Sequence, residues 1–139
     1  MNNKIVVAVL LSLFLSIASY ADVLHKVVIQ VSTDNPRTQK IALNNAVNLQ
    51  KLYGMDNVKI EIVAYGPGLG IMTKKNKQSS RVSSLAMQDI VFSACMNTMH
   101  KVQKKTGKLP TLTEGVGKVP AGVARIVELE EQGYAYIRP

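Results

Sequence analysis

The sequence VKIEIVAYGPGLG, residues 58–70, joins a run of alternating apolar residues to a glycine-rich turn. Every second residue from Val58 to Ala64 is apolar, and the run is short and rich in β-branched side chains, which is typical of a β-strand. The glycines that follow allow the chain to leave the strand sharply. The stretch therefore predicts a strand that turns toward a helix, the first half of a βα unit.

The GPGLG turn, residues 66–70, has two interpretations. Gly66 and Gly68 can adopt positive φ angles and can bring the backbone close to a ligand or to a neighbouring element. The spacing is not that of a dinucleotide fingerprint, and no Walker lysine follows. We favour a tight turn between strand and helix and keep ligand binding at Gly66 and Gly68 as the alternative.

Similar units occur on both sides of this stretch. HKVVIQVS predicts a strand, TDNP predicts a turn and helix start, and a helix with apolar residues at helical spacing ends at Gly54. A helix is predicted over residues 71–88, with an interruption near KNKQSS, residues 75–80, left open. The remaining predicted elements are a strand over 89–95, a helix over 96–106, a strand over 116–119, a helix that Pro120 opens and a last strand within 134–139. Alternating strands and helices predict a three-layer α/β/α sandwich with a mainly parallel sheet of about five strands.

The N-terminus has the features of a secretory signal peptide. Lys4 precedes an apolar run from Ile5 to Ile17, and the small residues Ser19 and Ala21 follow it. We predict cleavage after Ala21, which makes residues 1–21 the signal peptide and residues 22–139 one periplasmic domain. The apolar run is shorter than the roughly 20 residues that span a bilayer, so no stable membrane insertion is expected.

The formal net charge is +8, which raises the possibility of an anionic partner. The lysines are spread along the chain without interleaved aromatic residues, and no nucleic-acid-binding motif is present. We therefore predict a solvated basic surface and no nucleic-acid partner. The lysines concerned are Lys74, Lys75, Lys77, Lys101, Lys104, Lys105 and Lys108.

Cys95 is the only cysteine, so it cannot form an internal disulfide bond. It is the last residue of a predicted strand, where ligands and reactive groups collect in α/β sheets. We expect Asn97 or Thr98 to cap the next helix, whose N–H groups and dipole would lower the pKa of the cysteine and favour the thiolate. The alternative is a small, buried, inert side chain.

Met96, Met99 and His100 follow Cys95 and, with it, offer soft ligands that suit Cu(I). Methionines at helical spacing are more often core residues, and no paired cysteine motif supports copper binding. We predict no metal site and keep Cu(I) binding as a lesser alternative.

Conventional catalytic motifs are missing from the sequence. It contains no GxSxG and no HExxH, and no two carboxylates stand together in an apolar setting. Arg125 and Glu128 are spaced for an ion pair on the solvated face of the last helix.

Four segments resemble the exported branch of the DsrE/DsrF-like family, and the resemblance covers nearly all of residues 22–139. They are NNAVNLQ at 44–50, VAYGPGL at 63–69, ACMNTM at 94–99 and VPAGVARIVELEEQGYAYIRP at 119–139. The resemblance implies a flavodoxin-like sandwich that assembles into a homotrimer or homohexamer. It also implies that no cofactor is needed.

The same resemblance assigns a role to Cys95. It implies that this cysteine carries sulfane sulfur as a persulfide or acts as a sulfurtransferase, between a donor and an acceptor that are unknown, with Asn97 and Thr98 shaping the site. Met96 departs from the family pattern, in which a small residue is expected after the cysteine. The alternative function is a non-catalytic oligomeric binding module in which Cys95 is structural.

Overall fold

Five short runs of mostly apolar residues form the strands of the sheet. A computed structural model of the protein describes residues 24–139, so the predicted signal peptide and its cleavage after Ala21 lie outside the described residues. The strands are β1 (His25–Val31), β2 (Val58–Ala64), β3 (Ile90–Cys95), β4 (Val116–Val119) and β5 (Ala135–Ile137). Among the described residues, no helix is long and apolar enough to cross a bilayer.

Helices connect these strands. They are α1 (Pro36–Tyr53), α2 (Ser79–Ala86), α3 (Met96–Thr106) and α4 (Gly122–Glu131), with two 3-10 segments at Met55–Asn57 and Gly66–Met72. The predicted limits of α1 are confirmed. The Asn35 side chain accepts hydrogen bonds from the N–H groups of Arg37 and Thr38, and the helix ends at Gly54, which has a φ of 86°.

The sheet is parallel throughout, with the strand order β4-β3-β2-β1-β5. β2 is the central strand. Its Ile62 is paired with Ile29 of β1 on one side and with Phe92 of β3 on the other. Parallel neighbours require crossover connections, which the helices supply. The predicted three-layer, flavodoxin-like α/β/α sandwich is therefore confirmed.

The two faces of the sheet are covered unequally. On one face, α1, α2 and α3 and the Gly66–Met72 segment enclose the larger hydrophobic core, in which Phe92, Leu43 and Met99 are buried. On the other face, α4 packs Ile126 and Leu129 onto the two valines of β1 and β2 that point toward it. Cys95 belongs to this second side, because it follows the alternation of side chains along β3.

The predicted helix over residues 71–88 is wrong in its first half. Residues 66–72 form the 3-10 segment, and α2 begins only at Ser79. Between them the chain is held by contacts outside any helix. Thr73 forms a bridge with Leu112, and the N–H of Lys74 donates to the Thr111 carbonyl at 3.0 Å. These bonds use backbone groups that a continuous helix would pair internally.

Gly68 lets the Gly66–Met72 segment pack directly against the end of β1. A Cβ atom at Gly68 would lie 2.1 Å from the carbonyl oxygen of Val31. Backbone occupies that space, so a ligand cannot approach Gly68 from this side. The contact favours the structural interpretation of the GPGLG turn.

A buried ion pair joins α4 to the middle of the sheet. Glu61 on β2 is 4% exposed, and Arg125 donates to its two carboxylate oxygens from Nε at 2.9 Å and from Nη2 at 2.8 Å. The Ser93 hydroxyl of β3 donates to the same carboxylate at 2.6 Å. Arg125 also forms the predicted pair with Glu128, at 3.2 Å, on the exposed side. The Glu61 hydrogen bonds are the main cause that raises the pKa of Arg125 further above its usual value.

We expect Gly68→Ala to lower the free energy of unfolding by about 1–3 kcal/mol or more, because the added methyl group meets backbone that cannot rotate away. Gly70→Ala is the matched control, since no atom lies within 4 Å of a Cβ atom at Gly70. Urea unfolding of both variants measures the difference. Equal stability of the two variants would contradict the close contact at Gly68.

We expect Glu61→Gln to lower the free energy of unfolding by about 2 kcal/mol or more, because it removes the charge that compensates the partly buried Arg125. Glu128→Gln removes a carboxylate from the same arginine on the exposed side, and we expect a loss below about 1 kcal/mol. Urea unfolding at neutral pH compares the two. If Glu128→Gln lowers the free energy of unfolding as much as Glu61→Gln does, the buried carboxylate contributes no more than the surface pair, and the prediction is wrong.

Candidate functional site

Cys95 lies where β3 passes directly into α3. It has extended backbone angles, with φ −72° and ψ 115°, and it occupies the N-cap position of the helix. The prediction that Asn97 or Thr98 caps the helix is therefore wrong. No loop separates strand from helix, so Met96 is already helical, and Asn97 and Thr98 fall within the first turn.

The donors around the Cys95 sulfur come from two helix N-termini. Burial raises the pKa of the thiol, and it is the largest single effect. Opposing it are hydrogen bonds from the Gly122 N–H, the Thr98 hydroxyl, and the N–H groups of Thr98 and Asn97. Together these donors outweigh burial, and the pKa of Cys95 is lowered from its ordinary value. The site therefore favours the thiolate.

Gly122 allows the N-terminus of α4 to approach the cysteine. A Cβ atom at Gly122 would lie 3.0 Å from Cδ1 of Tyr65 and 3.3 Å from Cβ of Cys95. With any larger residue, either these side chains or the helix would have to shift. Sequence reasoning missed Gly122. The small residues Ala121 and Gly122 after Pro120 indicated that the helix could pack closely against a neighbour. They did not indicate that this neighbour is Cys95.

Thr98 connects the cysteine to the glycine-rich turn. The N–H of Gly66, where φ is 54°, donates to the Thr98 hydroxyl oxygen at 2.9 Å. The same hydroxyl is one of the groups that lower the pKa of Cys95. The structure thus brings together three predicted site residues, Gly66, Thr98 and Cys95, and gives Gly66 a supporting contact.

Asn97 contributes to the site through its backbone. Its side chain is exposed, while its N–H lies near the sulfur and 3.3 Å from the carbonyl oxygen of Pro120. This contact ties the first turn of α3 to the connection between β4 and α4.

The possible copper ligands are divided between the core and the surface. Met99 is 2% exposed and belongs to the larger hydrophobic core. Met96 and His100 line an open hollow of about 390 Å³ together with Lys118 and Pro120. Within residues 24–139, no three His, Cys, Asp or Glu side chains group in a way that could hold a metal ion. This arrangement favours the interpretation of Met99 as a core residue.

The chemistry available at this site is that of a stabilised sulfur anion. Backbone N–H groups and one hydroxyl lower the pKa of Cys95, so the thiolate is favoured without a charged neighbour. Cys95 is, however, 4% exposed, and Met96 beside it is partly buried. Its reactivity therefore depends on the ionisation of the thiol and, separately, on access to the sulfur.

We expect Thr98→Val to raise the pKa of Cys95, because the variant removes a hydroxyl that stabilises the thiolate. The alkylation rate with iodoacetamide follows the thiolate fraction, so its rise with pH moves to higher pH in this variant. Thr98→Ser keeps the hydroxyl and should restore the profile of the unmodified protein. Coinciding profiles for the valine and serine variants would show that the hydroxyl does not stabilise the thiolate.

Comparison with known proteins identifies a structural relative. No protein-family model and no curated protein matches the chain. A solved structure from Methanobacterium thermoautotrophicum, that of the protein of unknown function MTH1491, is 33% identical, with a TM-score of 0.74. The match covers 83% of this chain and 99% of MTH1491. The chain therefore belongs to the same protein family as MTH1491.

Proposed function

We propose that this protein is a periplasmic member of the DsrE/DsrF-like family that handles sulfane sulfur through Cys95, as a persulfide carrier or sulfurtransferase. The observation that carries the proposal is the position of Cys95 at the N-cap of α3, with the N-terminus of α4 packed against it at Gly122. Donors from both helices lower the pKa of Cys95. The sequence resemblance to the exported branch of that family supports the same function.

The proposed reaction is an exchange at sulfur. The Cys95 thiolate attacks the terminal sulfur of a donor persulfide, R–S–SH. The donor S–S bond breaks and a new S–S bond forms on Cys95, while the donor leaves as the thiolate R–S⁻ with the electron pair. An acceptor thiolate then attacks the terminal sulfur of the Cys95 persulfide in the same way and releases the Cys95 thiolate. Atoms and charge balance in both steps, and no cofactor takes part.

The surroundings of Cys95 suit both the attack and the release. The N–H groups of Gly122, Thr98 and Asn97 stabilise negative charge on the cysteine sulfur, which is the attacking atom in the first step and the leaving atom in the second. Because the sulfur is nearly buried, transfer requires a side chain beside it to move. Met96 is partly buried and unbranched, which makes it the side chain that we expect to move.

The proposal includes assembly into a homotrimer or homohexamer, as the family resemblance implies. The side of the sheet that α4 covers retains exposed apolar residues that suit a contact between copies. Val91 on β3 is 52% exposed, and Val123 and Val127 on α4 are 61% and 50% exposed. Clusters of exposed apolar residues commonly mark protein interfaces.

A second candidate function is a non-catalytic binding or assembly module in which Cys95 is structural. The observation that favours it is the burial of the sulfur, with only 4% of the residue exposed. Free cysteines in such positions often act as small apolar residues. The two candidates differ in whether the thiol reacts in the folded protein.

We expect intact-protein mass spectrometry, on protein from a periplasmic extract treated with polysulfide, to show the added mass of one or more sulfur atoms. Reductant should remove this mass. Cys95→Ser should fold and assemble as the unmodified protein does, as judged by sedimentation, but it should gain no sulfur.

Alkylation of the folded protein separates the two candidate functions. The midpoint of the rate against pH reports the pKa of Cys95, and the plateau at high pH reports access to the sulfur. A low midpoint with a measurable plateau supports the carrier. A protein that ignores polysulfide and whose plateau stays near zero until it is unfolded has a structural cysteine, and the sulfur-carrier proposal is then rejected.

A further inference from the structure

Two lysine-bearing segments that are distant in the sequence come together on the α3 side of the sheet. The first is the extended segment after Met72, and the second is the end of α3 with the loop that follows it. The bridge between Thr73 and Leu112 and the hydrogen bond from Lys74 N–H to Thr111 hold the two segments side by side. The lysines that the sequence separates therefore share one region of the surface.

A cavity of about 540 Å³ lies between these segments. Its walls combine three apolar residues with threonines and lysines; they are Thr73, Lys75, Val102, Thr106, Lys108, Leu109, Pro110 and Thr111. No acidic side chain lines it. Leu109, beside Lys108, is 43% exposed, so a large apolar side chain stands at a positively charged rim. We call these eight residues the basic hollow.

Lys75 and Lys108 form no ion pair with any residue of the described part of the chain. Among residues 24–139, both ion pairs involve Arg125, on the other side of the sheet. The Thr73 and Thr106 hydroxyls donate to the backbone carbonyls of Gly70 and Val102. Lys75 and Lys108 are therefore the main donors that remain for a ligand.

The lysines of α3 have one explanation that needs no ligand. Lys104 and Lys105 lie in its last turn, where positive charge stabilises the negative end of the helix dipole. That explanation does not extend to Lys74, Lys75 and Lys77, which lie outside any helix. The helix dipole therefore explains only some of these lysines.

We propose that the basic hollow is a peripheral docking site for an anionic phospholipid surface. Lys75 and Lys108 contact the lipid phosphates, and Leu109 enters the boundary between the headgroups and the acyl chains. Each lysine near an anionic membrane surface contributes about 1 kcal/mol, and apolar area buried at the headgroup boundary adds to the binding. The inference does not depend on the proposed sulfur chemistry, because the basic hollow excludes Cys95 and every residue around its sulfur.

The composition of the basic hollow favours lipid over nucleic acid. No aromatic side chain lines it, so it offers no platform on which bases could stack. Val102, Leu109 and Pro110 instead provide an apolar wall, which a phosphate backbone would not use.

Vesicle sedimentation tests the proposal with the chain from Asp22 to Pro139, which contains every strand and helix described above. We expect binding to vesicles of equimolar phosphatidylcholine and phosphatidylglycerol, no binding to phosphatidylcholine alone, and release as the salt concentration rises. The double variant Lys75→Gln/Lys108→Gln should bind about thirtyfold more weakly, since each lysine near an anionic surface contributes about 1 kcal/mol. Leu109→Ser should weaken binding roughly fivefold through lost apolar contact.

The matched control is Lys51→Gln/Lys59→Gln, which removes the same charge from two exposed lysines outside the basic hollow. We expect it to keep most of the affinity. If both double variants lose the same affinity for anionic vesicles, binding depends on net charge alone, and the proposal is overturned. It is also overturned if the unmodified protein binds neither kind of vesicle, or if single-stranded DNA binds more tightly and displaces it from the vesicles.

Discussion

The bond between Glu61 and Arg125 constrains the position of α4 and, through it, the site. Glu61 is a nearly buried carboxylate on β2, which has strands on both sides. An unpaired charge there would carry a large desolvation cost, so a guanidinium must cover it. The guanidinium comes from α4, and its two bonds to the carboxylate, with the packing of Ile126 and Leu129, hold that helix against the sheet. Gly122 precedes Arg125 by almost one turn, so the same bonds place its N–H beside Cys95.

The candidate site stabilises an anion with dipoles. Hydrogen-bond donors from α3 and α4 converge on one sulfur atom, and none of those that lower its pKa is a charged side chain. Neutral donors in a poorly solvated place favour the thiolate without offering a counterion that would have to be displaced during reaction. Lys75 and Lys108 instead line the basic hollow, which shares no residue with the cysteine site. The cysteine site and the basic hollow are thus separate regions of the protein.

The likeness to MTH1491 extends over 99% of that protein, so the two share the whole sandwich. Shared architecture does not by itself specify an activity. The ionisation of Cys95 depends instead on local features: the strand-to-helix junction at Cys95, the glycine at the start of α4 and the hydroxyl of Thr98. Each of these features is small, and each acts by controlling which donor reaches the sulfur.

The sequence by itself determined the order of strands and helices, the parallel sandwich and the place of Cys95 at the end of β3, because these follow from local periodicity and from turn residues. It also determined the surface pair between Arg125 and Glu128, whose partners are three residues apart. Only the tertiary structure decided that Arg125 also reaches Glu61, that Gly122 meets Cys95 and that Lys75 and Lys108 share one hollow. Each of these pairs joins segments far apart in the chain, and their contact depends on how the helices pack, which no local pattern encodes. The error in the predicted start of α2 has the same cause. The bridge between Thr73 and Leu112 holds the chain before Ser79 in a non-helical conformation, although its sequence favours a helix.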